Sequence, residues 1–163
     1  MSDTNLIYVE APDIEITFPT LFMAGGITGT WDWQQALVEE LEHLDTPVIA
    51  VNPRRANFPM GDEEAGAFQI RWEDAMLQKA DIISFWFPKE TLCPITLLEL
   101  GKYLRFEPII GTEEGYQRSF DVRIQAECEL GRGYPIHKSI KDVAKDIDAQ
   151  AWNHMEWLGE GAR

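Results

Sequence analysis

Four apolar runs and a shorter fifth, separated by stretches with helical spacing, constrain this chain more than any other feature. The runs are Thr20 to Ala24, Pro47 to Val51, Asp81 to Phe87, Pro108 to Gly111 and Tyr134 to His137. A short run without polar alternation reads as a strand buried on both faces. Between the runs, Trp33, Leu37, Leu41 and Leu44 recur at helical spacing, and Phe68, Trp72 and Met76 mark a helix over 67–79. Further helices are expected from Ile95 to about Phe106 and from Phe120 to about Leu130. A C-terminal helix capped by Ser139 carries Ile140, Val143, Ile147, Trp152 and Trp157. Strand-helix alternation predicts an α/β domain over 20–163, with a five-stranded parallel sheet, helices on both faces and ligands beyond the carboxyl ends of the strands. Residues 1–19 read as a short N-terminal β extension, with Ile7-Tyr8-Val9 and Ile14 to Phe18 as strands around a turn at Pro12-Asp13.

The charge balance narrows the partner. The 163 residues include 28 acidic and 14 basic ones, a formal charge of −14. That argues against a nucleic-acid polymer or an anionic membrane as partner, while leaving room for a small anion that needs one local basic group. No apolar run approaches the roughly 20 residues that span a bilayer. Cys93 and Cys128 lack metal-like spacing and, with no signal-peptide pattern, are expected to stay reduced in a cytoplasm.

The predicted ligand edge carries loops 25–30, 52–66, 88–94 and 112–118, and the residues with chemistry lie in or just after them. Glu99 stands between Leu98 and Leu100 on a helix that Pro94 would start, near its positive end. An ionised carboxylate in an apolar run needs a reason. It is either a nucleophile or clamp at the mouth of a strand-loop-helix unit, or half of a buried salt bridge to Arg105 or Arg123. Glu73 shares a helix face with Ile70 and Leu77, and is either a second acid in the same cleft or an exposed helix Glu. The loop Gly25-Gly26-Ile27-Thr28-Gly29 lacks the spacing of dinucleotide or P-loop motifs, so it reads equally as a tight turn or as backbone that approaches a sugar or phosphate. Arg54 and Arg55 either meet a phosphate or carboxylate or pair with the acidic loop at Asp62-Glu63-Glu64. The histidines have no ligand spacing. Trp31, Trp33, Trp72 or Trp86 is available to stack on a nucleobase.

Taken in order, several stretches resemble the nucleoside 2-deoxyribosyltransferase-like family. They are Phe22 to Ile27, Asp32-Trp33-Gln34, Asn52-Pro53-Arg54-Arg55, Gln69 to Glu73, Ala80 to Ile83, Phe85 to Pro88 and Glu99-Leu100-Gly101. The resemblance implies a flavodoxin-like sheet and cleavage of an N-glycosidic bond. It assigns the nucleophile to Glu99 and the acid at the base side to Glu73. Gly25, Gly26, Trp33, Asn52, Arg54 and Trp72 are the expected substrate contacts, and the resemblance adds Asp121 in the segment that meets a neighbouring subunit. Phe22 stands where some members have a tyrosine that steadies the nucleophile. Cys93 stands where an aspartate helps hold the sugar, with Glu90 or Thr91 as substitutes; these departures bear on sugar specificity.

The implied partner is a small-molecule nucleoside or nucleotide, and the implied assembly a homodimer or larger homo-oligomer. Attack by a carboxylate gives a covalent glycosyl-enzyme that a new base or water resolves, and the chemistry needs no metal or organic cofactor. A nucleoside 5′-monophosphate N-glycosidase and a non-catalytic nucleotide-binding protein are the alternatives.

Overall fold

The computed structural model describes residues 7–10, 18–59 and 61–160, with side chains for 18–59 and 61–155. The elements in chain order are β1 (Ile7–Glu10), β2 (Thr20–Gly25), α1 (Trp33–His43), β3 (Ile49–Asn52), α2 (Glu63–Lys79) and β4 (Ile82–Phe87). They continue with α3 (Pro94–Tyr103), a 3-10 turn (Leu104–Phe106), β5 (Ile109–Thr112), α4 (Ser119–Leu130), β6 (Ile136–His137) and α5 (Ile140–Glu160). The strands form one all-parallel sheet in the order β1-β3-β2-β4-β5-β6. Its parallel strands are those expected from the alternation, and without β1 their order is the flavodoxin-like one that the resemblance implies. The extension adds β1 as a parallel edge strand, with Ile7 opposite Ile49 and Glu10 opposite Asn52. The second expected strand of the extension falls mostly outside the described residues.

Side-chain alternation along each strand builds two cores. Leu21 and Met23 of β2, Ala50 of β3 and Trp86 of β4 face α1 and α5, where Leu37, Leu41, Val143 and Ile147 are fully buried. Phe22, Val51, Phe85 and Ile110 face the opposite way, toward α2, α3 and α4. Caps fix the helix starts. Asp32 accepts from the Gln35 amide, Asp62 from those of Glu64 and Ala65, and Ser139 from that of Asp142.

Several boundaries differ from expectation for local reasons. Helix α2 starts at Glu63 rather than 67, because Asp62 caps it and Glu63 and Glu64 favour its positive end. The acidic stretch read as a loop is therefore mostly helix. Leu44 lies past the end of α1 and is exposed, and Trp152 is on the open side of α5.

The chain reverses its direction of sheet growth between β2 and β4, since β3 lies on one side of β2 and β4 on the other. The two strands are tied at their amino ends, where Asp81 Oδ2 accepts from Thr20 N at 2.8 Å and Thr20 Oγ1 at 2.9 Å. Their carboxyl ends diverge into separate loops and leave a crevice.

Candidate active site

A cavity of about 320 Å³ opens at that crevice. Its walls come from Phe22 and from Ala24 to Thr28 at the end of β2 and in the loop after it, from Pro53 after β3, and from Thr91 and Cys93 to Thr96 leading into α3. Glu73 of α2 and Glu99 of α3 also line it. The volume is at the lower end of that seen for small-molecule sites.

Both carboxylates are half-buried and both are harder to ionise than exposed ones. Burial pushes the Glu99 carboxyl up to about 7, and the neighbouring Glu73 charge adds to this against a smaller opposing pull from Lys102. Burial also raises Glu73, while a 2.8 Å hydrogen bond from Gln69 Nε2 works the other way. Gln69 Nε2 also donates to Pro53 O at 3.0 Å, which links the Glu73 carboxylate to the loop after β3. The negative charge of Glu73 in the same cavity thus adds to the cost of ionising Glu99.

The salt-bridge reading of Glu99 fails on geometry. Arg123 pairs with Glu127 at 2.9 Å, and the Arg105 guanidinium lies over the Phe106 ring. The reasons given for Glu99 need correction too. It is past the first turn of α3, where the helix end has little influence. Leu98 beside it is 65% exposed, so its burial comes from facing the cavity, not from an apolar run. Ile70 is likewise exposed and does not cover Glu73.

Of the other expected contacts, Gly25 and Gly26 line the cavity, and both are glycine for steric reasons. A Cβ on Gly25 would overlap the Trp33 ring and the Trp86 carbonyl; one on Gly26 would come within 2.5 Å of Cys93 Sγ. Trp33 is fully buried and donates from Nε1 to Gly26 O at 2.8 Å, so it props the loop from beneath. Trp72 is buried against Phe22, and Trp86 is buried under β5. Asn52 is buried, and its Oδ1 accepts from the Arg54 amide. None of these side chains is among the cavity-lining residues.

Arg54 is engaged elsewhere. It donates to Gln34 Oε1 at 3.0 Å, Thr30 Oγ1 at 3.1 Å and Trp31 O at 3.0 Å, and lies 3.5 Å from Asp32. It clamps the β2–α1 loop, while Arg55 lies over Phe58. Asp121 is exposed in the first turn of α4, 3.7 Å from Arg118, and lies outside the cavity. Thr91 lines the cavity and Glu90 does not. Cys93 lines it from a left-handed backbone conformation (φ 50°), and burial pushes its thiol up to about 11, so it is a neutral group there.

The sequence reading placed the loop of Thr28 and the stretch of Pro53 at the ligand edge without giving either residue a role, and it missed Thr96 as a lining residue. Thr96 precedes Glu99 by about one helical turn, and that spacing is the signal that finds it. Among the described residues no helix is long and apolar enough to cross a membrane.

A search of curated proteins gave no match. A family model described as nucleoside 2-deoxyribosyltransferase like matches residues 19–116, a segment that contains every residue lining the cavity. That match spans more than half of the chain, which therefore belongs to the nucleoside 2-deoxyribosyltransferase-like family.

Proposed function

We propose that the protein cleaves the N-glycosidic bond of a nucleoside and transfers the sugar to a second base, through a glycosyl ester on Glu99. The observation that carries this reading is the pair of half-buried carboxylates, Glu73 and Glu99, in one largely apolar cavity at the switch point of the sheet. An ionised Glu99 Oε forms a bond to the anomeric carbon as the bond to the base nitrogen breaks. The electron pair leaves with the base, which Glu73 supports by a proton or a hydrogen bond. The acceptor base then attacks the same carbon, the C–O bond to Glu99 breaks, and the proton that the acceptor nitrogen loses returns to Glu73. Burial strengthens the nucleophile by removing water from it, and the cost appears as its raised pKa.

The cavity also favours an unphosphorylated nucleoside. No Lys or Arg is among its lining residues, and Arg54, the nearest sequence candidate for a phosphate, is committed to the loop behind it. A phosphate dianion brought beside two carboxylates in a chain of −14 has nothing described there to balance it. Phe22 and Cys93 in the lining are what favour the rival, a binder without turnover. The test is a panel of nucleosides and their 5′-monophosphates, assayed with and without an acceptor base. Base exchange with nucleosides supports the proposal. Hydrolysis confined to monophosphates promotes the N-glycosidase, and tight binding without turnover promotes the binder.

The dimer implied by the resemblance belongs to the same reading. Ile70 of α2, Ile95 and Leu98 of α3 and Phe120 of α4 are each more than 60% exposed, and Ile95 also lines the cavity. Burying this apolar surface against a second copy puts an interface at α2–α4, beside the exposed Trp152 of the C-terminal helix as a second candidate face. A fully active monomer by light scattering at assay concentration removes it.

A further inference from the structure

The two loops that line the cavity pack together where Gly26 meets Cys93 and Thr91, and a single side chain outside the cavity bridges them a second time. Glu113 follows β5 directly. Its amide donates to Phe87 O at 3.0 Å, continuing the pairing of β4 with β5, and its carbonyl accepts from Tyr116 N at 2.9 Å. The backbone of Glu113 is therefore fixed on both sides. Its carboxylate, about 20% exposed, reaches across the ligand edge. Oε2 accepts from Trp31 Nε1 at 3.3 Å and from the Lys89 amide at 3.1 Å, and Oε1 lies 3.4 Å from Lys89 Nζ.

Trp31 ends the loop whose Gly25 to Thr28 make one wall, and Lys89 begins the loop whose Thr91, Cys93 and Pro94 make the other. We propose that Glu113 is a positioning residue that fastens these two walls to each other and to the sheet. The inference rests on the cavity being the nucleoside site proposed above. A carboxylate suits the role because each oxygen accepts more than one bond and both donors from Lys89 are met at once. A glutamine keeps one accepting oxygen but turns its NH2 toward a donor. The rest of each loop is braced separately. Trp33 and Thr30 hold Gly26 O, and Tyr116 OH donates to Leu92 O at 2.9 Å. Losing Glu113 therefore loosens the walls relative to each other without unfolding either loop. Glu73 and Glu99 stand on helices packed into the core by Trp72, Leu77, Leu100 and Tyr103, so they keep their places. The expected signature is a defect in binding, not in chemistry.

Hydrogen exchange on Glu113→Ala and Glu113→Gln tests the fastening without any substrate. Amides in 26–31 and in 89–93 should exchange at least fivefold faster in Glu113→Ala, with α5 unchanged and Glu113→Gln intermediate. Trp31→Phe, which removes the N–H but keeps an aromatic ring, should speed exchange in 26–31 on its own, and serves alone where Glu113→Ala does not fold. Unchanged exchange, or loosening of one wall only in Glu113→Ala, overturns the proposal. With a nucleoside that the wild type turns over, KM should rise about tenfold in Glu113→Ala while kcat stays within threefold. A fall in kcat at constant KM also overturns it. Failure of the wild type to act on nucleosides defeats the proposed reaction, and leaves the exchange result to decide the fastening.

Discussion

The two faces of the sheet are built from the same strands but finished differently. On the α1/α5 face, Leu21, Met23, Trp33, Leu37, Leu41, Val143 and Ile147 are sealed from solvent. The α2–α4 face has an equally buried base in Phe22, Phe85 and Ile110, yet its helices leave Phe68, Ile70, Ile95, Leu98 and Phe120 more than half exposed. The perturbed carboxylates Glu73 and Glu99 are on this face as well. The first face is closed over apart from Leu44 and Trp152. The second leaves apolar side chains and carboxylates of raised pKa open along its helices, as expected where function competes with stability.

The largest expected effect separates the two faces by activity. Glu99→Gln should lower turnover of a nucleoside substrate by about a thousandfold or more, in line with loss of a nucleophile, while the fold survives. Leu37→Ala on the sealed face should do the opposite. It leaves a cavity among fully buried neighbours and should cost about 2–5 kcal/mol in chemical denaturation, with near-normal kcat while folded. Comparable activity losses in both variants would erase the distinction.

Proton linkage sharpens it further. Burial holds the native Glu99 carboxyl at about 7, above the 4.5 of an exposed glutamate. Between those values the native state keeps a proton that the unfolded chain has lost, so stability falls as pH rises through the window. Glu99→Gln should thus be more stable than wild type above pH 7, by roughly 1–3 kcal/mol after allowance for partial exposure. The gain should fade toward pH 4.5. Urea titrations of both proteins across that range measure it, and a gain independent of pH refutes it. In activity, the wild-type kcat/KM should rise as pH passes through about 7. Glu73→Gln removes the neighbouring negative charge and should move that limb to lower pH. Smallest of all, Leu98→Ala should change monomer stability by no more than about 0.5 kcal/mol, because its side chain is 65% exposed.

The fold was legible because a parallel sheet writes itself as apolar runs at regular intervals, and Leu21-Phe22-Met23 must feed two cores at once. The site was legible only in part. Glu99 and Glu73 stand out by residue type, but helical periodicity does not tell which neighbour points where, and Leu98 and Ile70 beside them are exposed. Trp33 and Trp72 show why an aromatic on an amphipathic helix is ambiguous: the pattern that buries it in the core also brings it near the ligand edge. Arg54 is committed to Gln34, Thr30 and Trp31, partners about twenty residues away across a crossover, which no local pattern announces. Glu113 is hidden for the same reason, since Trp31 and Lys89 come to it from two other loops.

The central claim is that Glu99 carries the sugar during turnover. A nucleoside with a 2-deoxy-2-fluoro-arabinosyl group slows both steps by destabilising positive charge at the anomeric carbon, and a good leaving base lets the glycosyl-enzyme accumulate. Peptide mass mapping of the trapped protein should find one added sugar on the peptide containing Glu99, with none in Glu99→Gln. An adduct on Glu73 or any other residue, or full turnover by Glu99→Ala, would contradict the account.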